Sequence, residues 1–357
     1  MKKLDWYILQ KFLKAFFFIV LMFVTIVCII NLTEMNEKFI ENRLNAKEIA
    51  GYYANFAPYI ANMITPITVF IAVVFVTSQL ATHTEIIAML SSGISFLRIS
   101  RPYFIGALVI ASLSFYFGGW VIPNSNKERI IFETTYLKKM SNYSESDIHM
   151  KVGPNSYLYL NTFNTASNTG YDFTLETITG TDLTEKLYAR RLYWNEDSSL
   201  WKLDDWTLHT FDGIDESFSY GKELDTTLMI RPKDLGSEYM LFESLNMGEL
   251  EQKIEELEMR GADDILMYKV EKYIRFMSPF GVIILTFIGL FISSKKSRGG
   301  SGFQIALGFL IAFIFIILFT FSRTVANAGS WNPILAVWMP NILFAGVGLY
   351  LYKKVPK

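Results

Sequence analysis

The stretch Ala15–Thr33, with the sequence AFFFIVLMFVTIVCIINLT, decides the fold class of this chain. It contains no Asp, Glu, Lys, Arg or His, and most of its side chains are large and apolar. A bilayer core about 30 Å thick is crossed by a helix of about 20 apolar residues. The stretch therefore predicts a membrane-spanning helix.

Five further stretches without Asp, Glu, Lys or Arg follow, so the sequence predicts six spans. Three lie before a polar block of about 150 residues and three lie after it: Ala15–Thr33, Ile49–Thr84 and Pro102–Asn126, then Phe276–Ser294, Gly299–Ser322 and Thr324–Tyr352. The second stretch is longer than one perpendicular span needs. Because Pro58 and Pro66 interrupt it, we expect a tilted or interfacial lead-in near residues 52–59, before a span that ends near Leu80.

The distribution of basic residues predicts the orientation of the spans. Cytoplasmic connections of membrane proteins carry an excess of Lys and Arg. With the N-terminus inside, twelve basic residues of the short connections face the cytoplasm and four face outward. We therefore expect both termini in the cytoplasm and the polar block in the periplasm of a Gram-negative bacterium. The inner set is Lys2, Lys3, Lys11, Lys14, Arg98, Arg101, Lys295, Lys296, Arg298, Lys353, Lys354 and Lys357, and the outer set is Lys38, Arg43, Lys47 and Arg323.

The first part of the polar block has the pattern of β-strands. Apolar and polar residues alternate through residues 157–162 and again through 173–177. Two longer runs flank the turn-rich segment 195–199, which reads as a hairpin. Several short strands joined by polar turns favour a β-sandwich or a jelly roll.

The second part of the block predicts an amphipathic helix. Asn246 and Glu249 have the spacing of a capping box, and Gly261 can end the helix. Apolar residues at helical spacing make one face: Leu250, Ile254 and Leu257. The chain thus divides into spans 1–3 (residues 1–126), a periplasmic β-jelly-roll-like domain (127–243), an amphipathic connecting helix (244–264) and spans 4–6 (265–357). The predicted fold class is an α-helical membrane protein with six transmembrane helices and an all-β domain inserted between helices 3 and 4.

The sequence carries no motif of a catalytic, cofactor or metal site. It has no G-x-x-x-x-G-K phosphate loop, and its one cysteine, Cys28, excludes both C-x-x-C and an intramolecular disulfide. Its three histidines are scattered, so we expect no metal site. The cores of the spans lack Asp, Glu, Lys, Arg and His, with which ion-coupled transporters bind their ions. If this chain transports a substrate, the energy comes from another chain.

A short cytoplasmic helix is predicted between the second and third spans, at about residues 84–95. Thr82 or Thr84 can cap the helix, and Glu85 places a carboxylate in its first turn. Ile86, Leu90 and Ile94 share one face, and Gly93 can end the helix.

The layout and four local stretches together resemble the LptF and LptG permeases of lipopolysaccharide export. The stretches are TEIIAMLSSG at 84–93, VIPN at 121–124, RGG at 298–300 and AVWMPN at 336–341. They occur in the family's order and extend over essentially the whole chain. The length and the short loops favour the LptG role over the LptF role. For Trp338 and the Pro340-Asn341 pair, packing and a helix kink are favoured over lining a cavity.

The resemblance implies a permease subunit of an ATP-driven transporter in the inner membrane, not an enzyme. The implied partners are a homologous LptF/LptG subunit, an LptB-like cytoplasmic ATPase dimer, LptC- and LptA-like periplasmic bridge proteins and lipopolysaccharide as substrate, with no nucleic acid and no cofactor. The resemblance also makes the short helix a coupling helix, with ATPase-coupling residues Glu85, Ile86, Leu90 and Gly93. An anion in the first turn of a helix suits a basic groove. The alternative is that Glu85 only stabilises its own helix. The substrate-binding residues stay unknown.

Two other classes of protein are open to test. A membrane receptor or scaffold with a periplasmic ligand-sensing β-domain would need a cytoplasmic output domain, and the longest inner segment is about 20 residues. An intramembrane enzyme would need polar catalytic groups within the spans, and the uncharged stretches lack them. The sequence therefore favours the permease.

Overall fold

The structure, a computed structural model, describes residues 3–355 apart from 138–143, 154, 165–166, 197, 199, 214, 229, 233–240, 261–264 and 295–299. The chain forms two compact units. The first, called here the helical unit, comprises Met1–Arg129, Phe242–Leu250 and Leu266–Lys357. The second, called here the β unit, comprises Ile130–Leu241 and Glu251–Ile265.

Six helices of the described chain are long and apolar enough to cross a membrane. They are α1 (Lys3–Glu41), α2 (Ala46–Thr82), the composite helix Phe96–Leu137, α8 (Ile265–Ser293), α9 (Gly300–Asn327) and α10 (Pro333–Lys353). The composite helix consists of α4 (Phe96–Tyr116), a π-helical turn (Phe117–Val121), α5 (Ile122–Phe132) and a second π-helical turn (Glu133–Leu137). The short helix α3 (Glu85–Ser91) lies between α2 and α4. With the sheet described below, these helices confirm the predicted fold class.

The second span is one continuous helix that includes the residues of the expected lead-in, and their tilted or interfacial position stays a prediction. Pro58 and Pro66 both lie inside α2. Each proline removes one backbone donor, and the helix nevertheless continues past both. At 37 residues, α2 is about 55 Å long and extends beyond a bilayer core.

The first half of α1 packs tightly against α4 at Gly106. A Cβ atom at Gly106 would lie 2.6 Å from Cδ1 of Phe12, so only glycine allows this approach. Phe12 is fully buried, and its ring lies 5.6 Å from the ring of Tyr103. The Tyr103 hydroxyl in turn accepts a hydrogen bond from Thr77 at 2.9 Å, which joins α2 to α4. The beginning of α1 is therefore fixed to the bundle.

The β unit is built on one antiparallel sheet of six strands in the described chain. The strands are β1 (Ser144–Lys151), β2 (Ser156–Asn164), β3 (Thr169–Thr179), β4 (Asp182–Asn195), β5 (Leu200–Asp212) and β6 (Asp215–Thr226). Each strand pairs with the next, so the order along the sheet is the order along the chain. Inward-facing residues of the strands, together with Ile230 after β6, form one buried cluster: Leu158, Leu160, Phe163, Phe173, Ala189, Leu192, Trp201, Leu203 and Ile230.

Two short helices follow, α6 (Leu241–Ser244) and α7 (Met247–Arg260), and the capping box of α7 is confirmed. The Asn246 side chain accepts from the backbone N–H of Glu249 at 3.0 Å, and the Glu249 carboxylate accepts from the N–H of Asn246 at 2.8 Å. The predicted apolar face is buried at Leu250, Ile254 and Leu257. Gly261 lies outside the described residues.

Replacing Asn246 with Ala is expected to destabilise α7 by about 1 kcal/mol, because the amides of Gly248 and Glu249 lose their acceptor. Hydrogen exchange of these two amides measures the change, with Gln252→Ala on the exposed side of the helix as the control. The hydrogen bond from the backbone N–H of Asn246 lowers the pKa of Glu249. The stabilisation from this hydrogen bond is therefore present at neutral pH and is lost as pH falls through the lowered pKa. Unchanged exchange in Asn246→Ala would contradict the prediction.

Candidate functional site

The short helix predicted at about residues 84–95 is present as α3 over the shorter range Glu85–Ser91, and Glu85 is its first residue. Its carboxylate accepts a hydrogen bond from the Tyr7 hydroxyl, with an Oη–Oε2 distance of 3.2 Å. The Lys11 ammonium lies 3.7 Å from Oε1. The Glu85 side chain is one third exposed. Glu85 therefore contacts the beginning of α1 while part of its carboxylate remains accessible.

The apolar face of α3 holds the helix against the bundle. Ile86 is almost fully buried, Met89 is buried and Leu90 is partly buried, in a cluster that also includes Phe12 and Phe96. Ile87, in contrast, is half exposed. One side of α3 is thus anchored, and the other side is exposed among the residues that the structure describes.

The ends of α3 only partly follow the sequence prediction. Gly93, at φ +81°, ends the helix as predicted, and the amides of Gly93 and Ile94 donate to the carbonyl oxygens of Leu90 and Met89. The predicted threonine cap is wrong. Thr84 makes no capping hydrogen bond, and its φ of +62° lies outside the extended conformation usual for a capping residue; its hydroxyl donates to the carbonyl oxygen of His83.

A cavity of about 470 Å³ lies within the helical unit, towards the end of the bundle opposite α3. Its walls come from α2, the composite helix, α8 and α9, and they are mainly apolar: Met63, Ile64, Ile67, Ile274, Phe315 and Phe319. Polar and charged side chains line the rest: Tyr59, Asn62, Ser114, Asn126, Glu243, Glu271, Arg275, Thr320 and Arg323. The cavity therefore combines an apolar interior with a charged edge.

Arg129 and Glu243 form a buried ion pair at this edge. Nη2 of Arg129 lies 3.2 Å from Oε2 of Glu243, and both side chains are more than nine-tenths buried. Nε of Arg129 donates to Asn126, whose amide donates to the Glu243 carbonyl oxygen at 3.1 Å. The guanidinium also lies 4.3 Å from the ring centroid of Tyr59. The pair thereby ties α5 to α6, since buried charges require partners.

Arg275 and Arg323 extend the cluster to α8 and α9. Arg275 donates to Glu271 at 3.0 Å and to the carbonyl oxygens of Phe242 and Leu245, at 3.1 and 2.6 Å. Nη2 of Arg323 lies 3.6 Å from a carboxylate oxygen of both Glu243 and Glu271. Among the described residues, two guanidinium groups and two carboxylates thus line the charged edge, and Arg129 pairs with one of these carboxylates. Of these arginines, Arg323 has the longest contacts and the most exposed side chain.

The surroundings of Glu243 in this cluster raise its pKa. Burial raises the pKa of Glu243, and the neighbouring Glu271 raises it further, whereas Arg323 and Arg129 oppose the shift. The ionised carboxylate therefore depends on its two arginine partners.

The other stretches behind the resemblance have structural positions. VIPN at 121–124 begins α5, directly after the π-helical turn of the composite helix. In α10, the buried Asn341 donates to the Met277 carbonyl oxygen at 3.1 Å, and the ring of Trp338 lies 5.0 Å from that of Phe280. Both packing roles match the expectation for these residues. The RGG stretch falls mainly in 295–299, outside the described residues.

The comparison with known families decides the assignment. The sequence profile of the lipopolysaccharide export system permease LptF/LptG matches residues 6–354. The chain belongs to the LptF/LptG family. No individual curated protein matches it significantly.

Membership of the LptF/LptG family makes the chain a permease of lipopolysaccharide export and a multi-pass protein of the inner membrane. A permease of this family is a transport component rather than a catalytic enzyme. The family profile covers LptF and LptG together, so the LptG role stays a prediction.

Sequence reasoning missed the charged cluster. Arg129 and Glu243 are separated by 114 positions, and no motif joins them. Arg323 was expected in an outer connection, but it lies inside α9. One feature of the sequence did indicate the cluster. Four charged residues lie close to an end of an uncharged stretch, where burying a paired charge costs the least free energy: Arg129, Glu271, Arg275 and Arg323.

Proposed function

We propose that this chain is one of two permease subunits of an ATP-driven exporter, which extracts lipopolysaccharide from the inner membrane and passes it towards the outer membrane. The observation that carries the proposal is the family match over residues 6–354, on a chain with six spans and an inserted β-domain. Both termini are proposed to lie in the cytoplasm and the β unit in the periplasm. This orientation follows from the excess of Lys and Arg in the inner connections.

Energy is proposed to enter at α3. Residues 276–294 and 300–322 contain no Asp, Glu, Lys, Arg or His, so these parts of the spans offer no ion path. An LptB-like ATPase would dock on the free side of α3, where Ile87 supplies apolar surface and Glu85 supplies an accessible anion. A basic residue of the ATPase would pair with that carboxylate.

The cavity is proposed to receive part of the substrate. Lipopolysaccharide is an amphiphile with acyl chains and anionic phosphates. Its chains would contact the apolar walls, and its phosphates would lie near the charged edge, where Arg323 is the most accessible guanidinium of the cluster. We propose that closure of the bundle, driven by the ATPase, moves the lipid outward.

Two further partners are proposed from exposed surfaces. In the most apolar window of α1 only about 11% of the residues are buried, a surface suited to a homologous subunit or to lipid. In the β unit, β6 lies at the edge of the sheet and is mostly exposed. An edge strand can pair with another β-domain, as an LptC- or LptA-like bridge protein would require.

Replacing Glu85 with Ala is expected to reduce the ATPase recovered with this chain in mild detergent at least about tenfold, because a charge-assisted contact is lost. Quantification of the ATPase per purified permease measures the effect. Glu196→Ala, an exposed glutamate of the β unit, is the control. Full recovery of the ATPase with Glu85→Ala would contradict docking at this residue.

The function itself has a separate test. Depletion of this protein is expected to stop the arrival of newly made lipopolysaccharide at the cell surface. Unchanged delivery after depletion would contradict the export role. A receptor or scaffold would instead alter a response to a ligand while delivery continued.

A further inference from the structure

Tyr7, Lys11 and Glu85 form a compact polar contact between α1 and α3. Besides the hydrogen bond from Tyr7 and the ion pair with Lys11, the Lys11 ammonium lies 4.4 Å from the ring centroid of Tyr7. Tyr7 and Lys11 are four residues apart, so they lie on the same face of α1. Both side chains are more than a third exposed, which leaves this contact accessible from solvent.

This contact lies at the fixed part of α1. Ile8, Leu9 and Phe12 are buried against the rest of the bundle, and Arg98 of α4 lies 4.0 Å from Asp5. Further along the same helix, apolar side chains are exposed: Phe17, Phe18, Leu21, Met22, Ile26, Ile29 and Ile30. Because α1 is one uninterrupted helix of 39 residues, a rotation of its fixed part displaces the exposed part.

We propose that Tyr7 and Lys11 are positioning residues, which orient the Glu85 carboxylate and connect the docking helix α3 to the first span. The motion of a docked ATPase would then pass directly into α1. The inference rests on the proposed docking at Glu85, and it adds the path by which the motion reaches the membrane.

The geometry allows the internal contact and the docked partner at the same time. An ionised carboxylate can accept about four hydrogen bonds. Tyr7 donates mainly to Oε2, and Lys11 lies beyond ordinary hydrogen-bond distance of Oε1. Acceptor capacity therefore remains for a basic group of the ATPase. The Tyr7 hydroxyl fixes the carboxylate, and the Lys11 charge keeps an anion favourable at this position.

The test compares two tyrosine variants in the complete transporter, purified with its ATPase and placed in vesicles of phosphatidylethanolamine and phosphatidylglycerol that contain lipopolysaccharide. Tyr7→Phe removes only the hydroxyl. Tyr350→Phe is the matched control, because Tyr350 is an exposed tyrosine near the end of α10 with Lys354 also 4.4 Å from its ring centroid. We expect Tyr7→Phe to retain its ATPase but to extract about three- to tenfold less lipopolysaccharide per ATP hydrolysed, which lies within the ordinary net contribution of one hydrogen bond. Tyr350→Phe should equal the wild type.

A distance measurement tests the connection without the ATPase. Spin labels at Trp6→Cys and Ile87→Cys, in a Cys28→Ala background, report the separation of α1 and α3. Tyr7→Phe and Lys11→Met should each broaden the distance distribution, and Tyr350→Phe should leave it narrow. Wild-type coupling together with a narrow distribution in Tyr7→Phe would overturn the inference. Retention of the ATPase by Glu85→Ala would overturn the docking proposal instead, and the spin-label result would still decide whether Tyr7 fixes α3.

Discussion

Replacing Arg129 with Met should destabilise the helical unit by about 3–5 kcal/mol, the range for removing one partner of a buried ion pair. The variant retains the length of the side chain but leaves the buried Glu243 with Arg323 alone, at 3.6 Å. It also removes the donor to Asn126 and the cation above the Tyr59 ring. Thermal unfolding in detergent measures the loss, and Arg101→Met, an exposed arginine of α4, is the control.

The pH dependence of this loss has a defined sign. Burial raises the pKa of Glu243, and loss of the Arg129 charge raises it further, so the folded variant binds a proton at Glu243 more tightly than the unfolded chain. Falling pH therefore stabilises the variant relative to its own unfolded state. The difference from the wild type should shrink as pH falls through the raised pKa of Glu243.

A double variant separates the lost charge from the lost packing. In Arg129→Met with Glu243→Met, no unpaired carboxylate remains, and replacement of a buried pair by apolar residues is often neutral. At least half of the lost stability should return. If the double variant is less stable than Arg129→Met at every pH, the pair does not act through charge compensation.

The sequence predicted the parts of the fold that depend on local pattern. Six uncharged stretches became six helices because a bilayer-length apolar run has no other way to satisfy its backbone. The capping box at Asn246 was readable from its spacing. The same spacing at Asn45 and Glu48, which caps α2, was equally readable and was overlooked.

The failures came from interactions that sequence spacing does not encode. Glu85 was expected either to meet an ATPase or to stabilise its own helix, and the fold also places Tyr7, 78 positions earlier, against it. Likewise, the cavity edge depends on Glu243, which belongs to the helical unit although the strands of the β unit separate it from Arg129 in the sequence.

Replacing Trp201 with Ala should destabilise the β unit by about 3–5 kcal/mol, the usual cost of truncating a buried aromatic residue. Trp201 is fully buried on β5, and its Nε1–H donates to the Ile230 carbonyl oxygen at 2.8 Å. Its ring packs edge-on against those of Trp194 and Phe163. Truncation therefore leaves both a cavity and an unpaired carbonyl oxygen. Trp201→Phe, which retains most of the volume, should lose less.

Hydrogen exchange of residues 144–226 measures this effect, and Phe218→Ala, which truncates a mostly exposed side chain of β6, should stay within about 0.5 kcal/mol of the wild type. The two units have separate cores, and α3 belongs to the helical unit. Under the proposed function, Trp201→Ala should thus retain the ATPase on α3 but fail to deliver lipopolysaccharide to a bridge protein. Loss of the ATPase from this variant would mean that the cores do not fold independently. Normal delivery with an unfolded β unit would mean that the lipid does not pass through this domain, because a path along the sheet requires the strands to be paired.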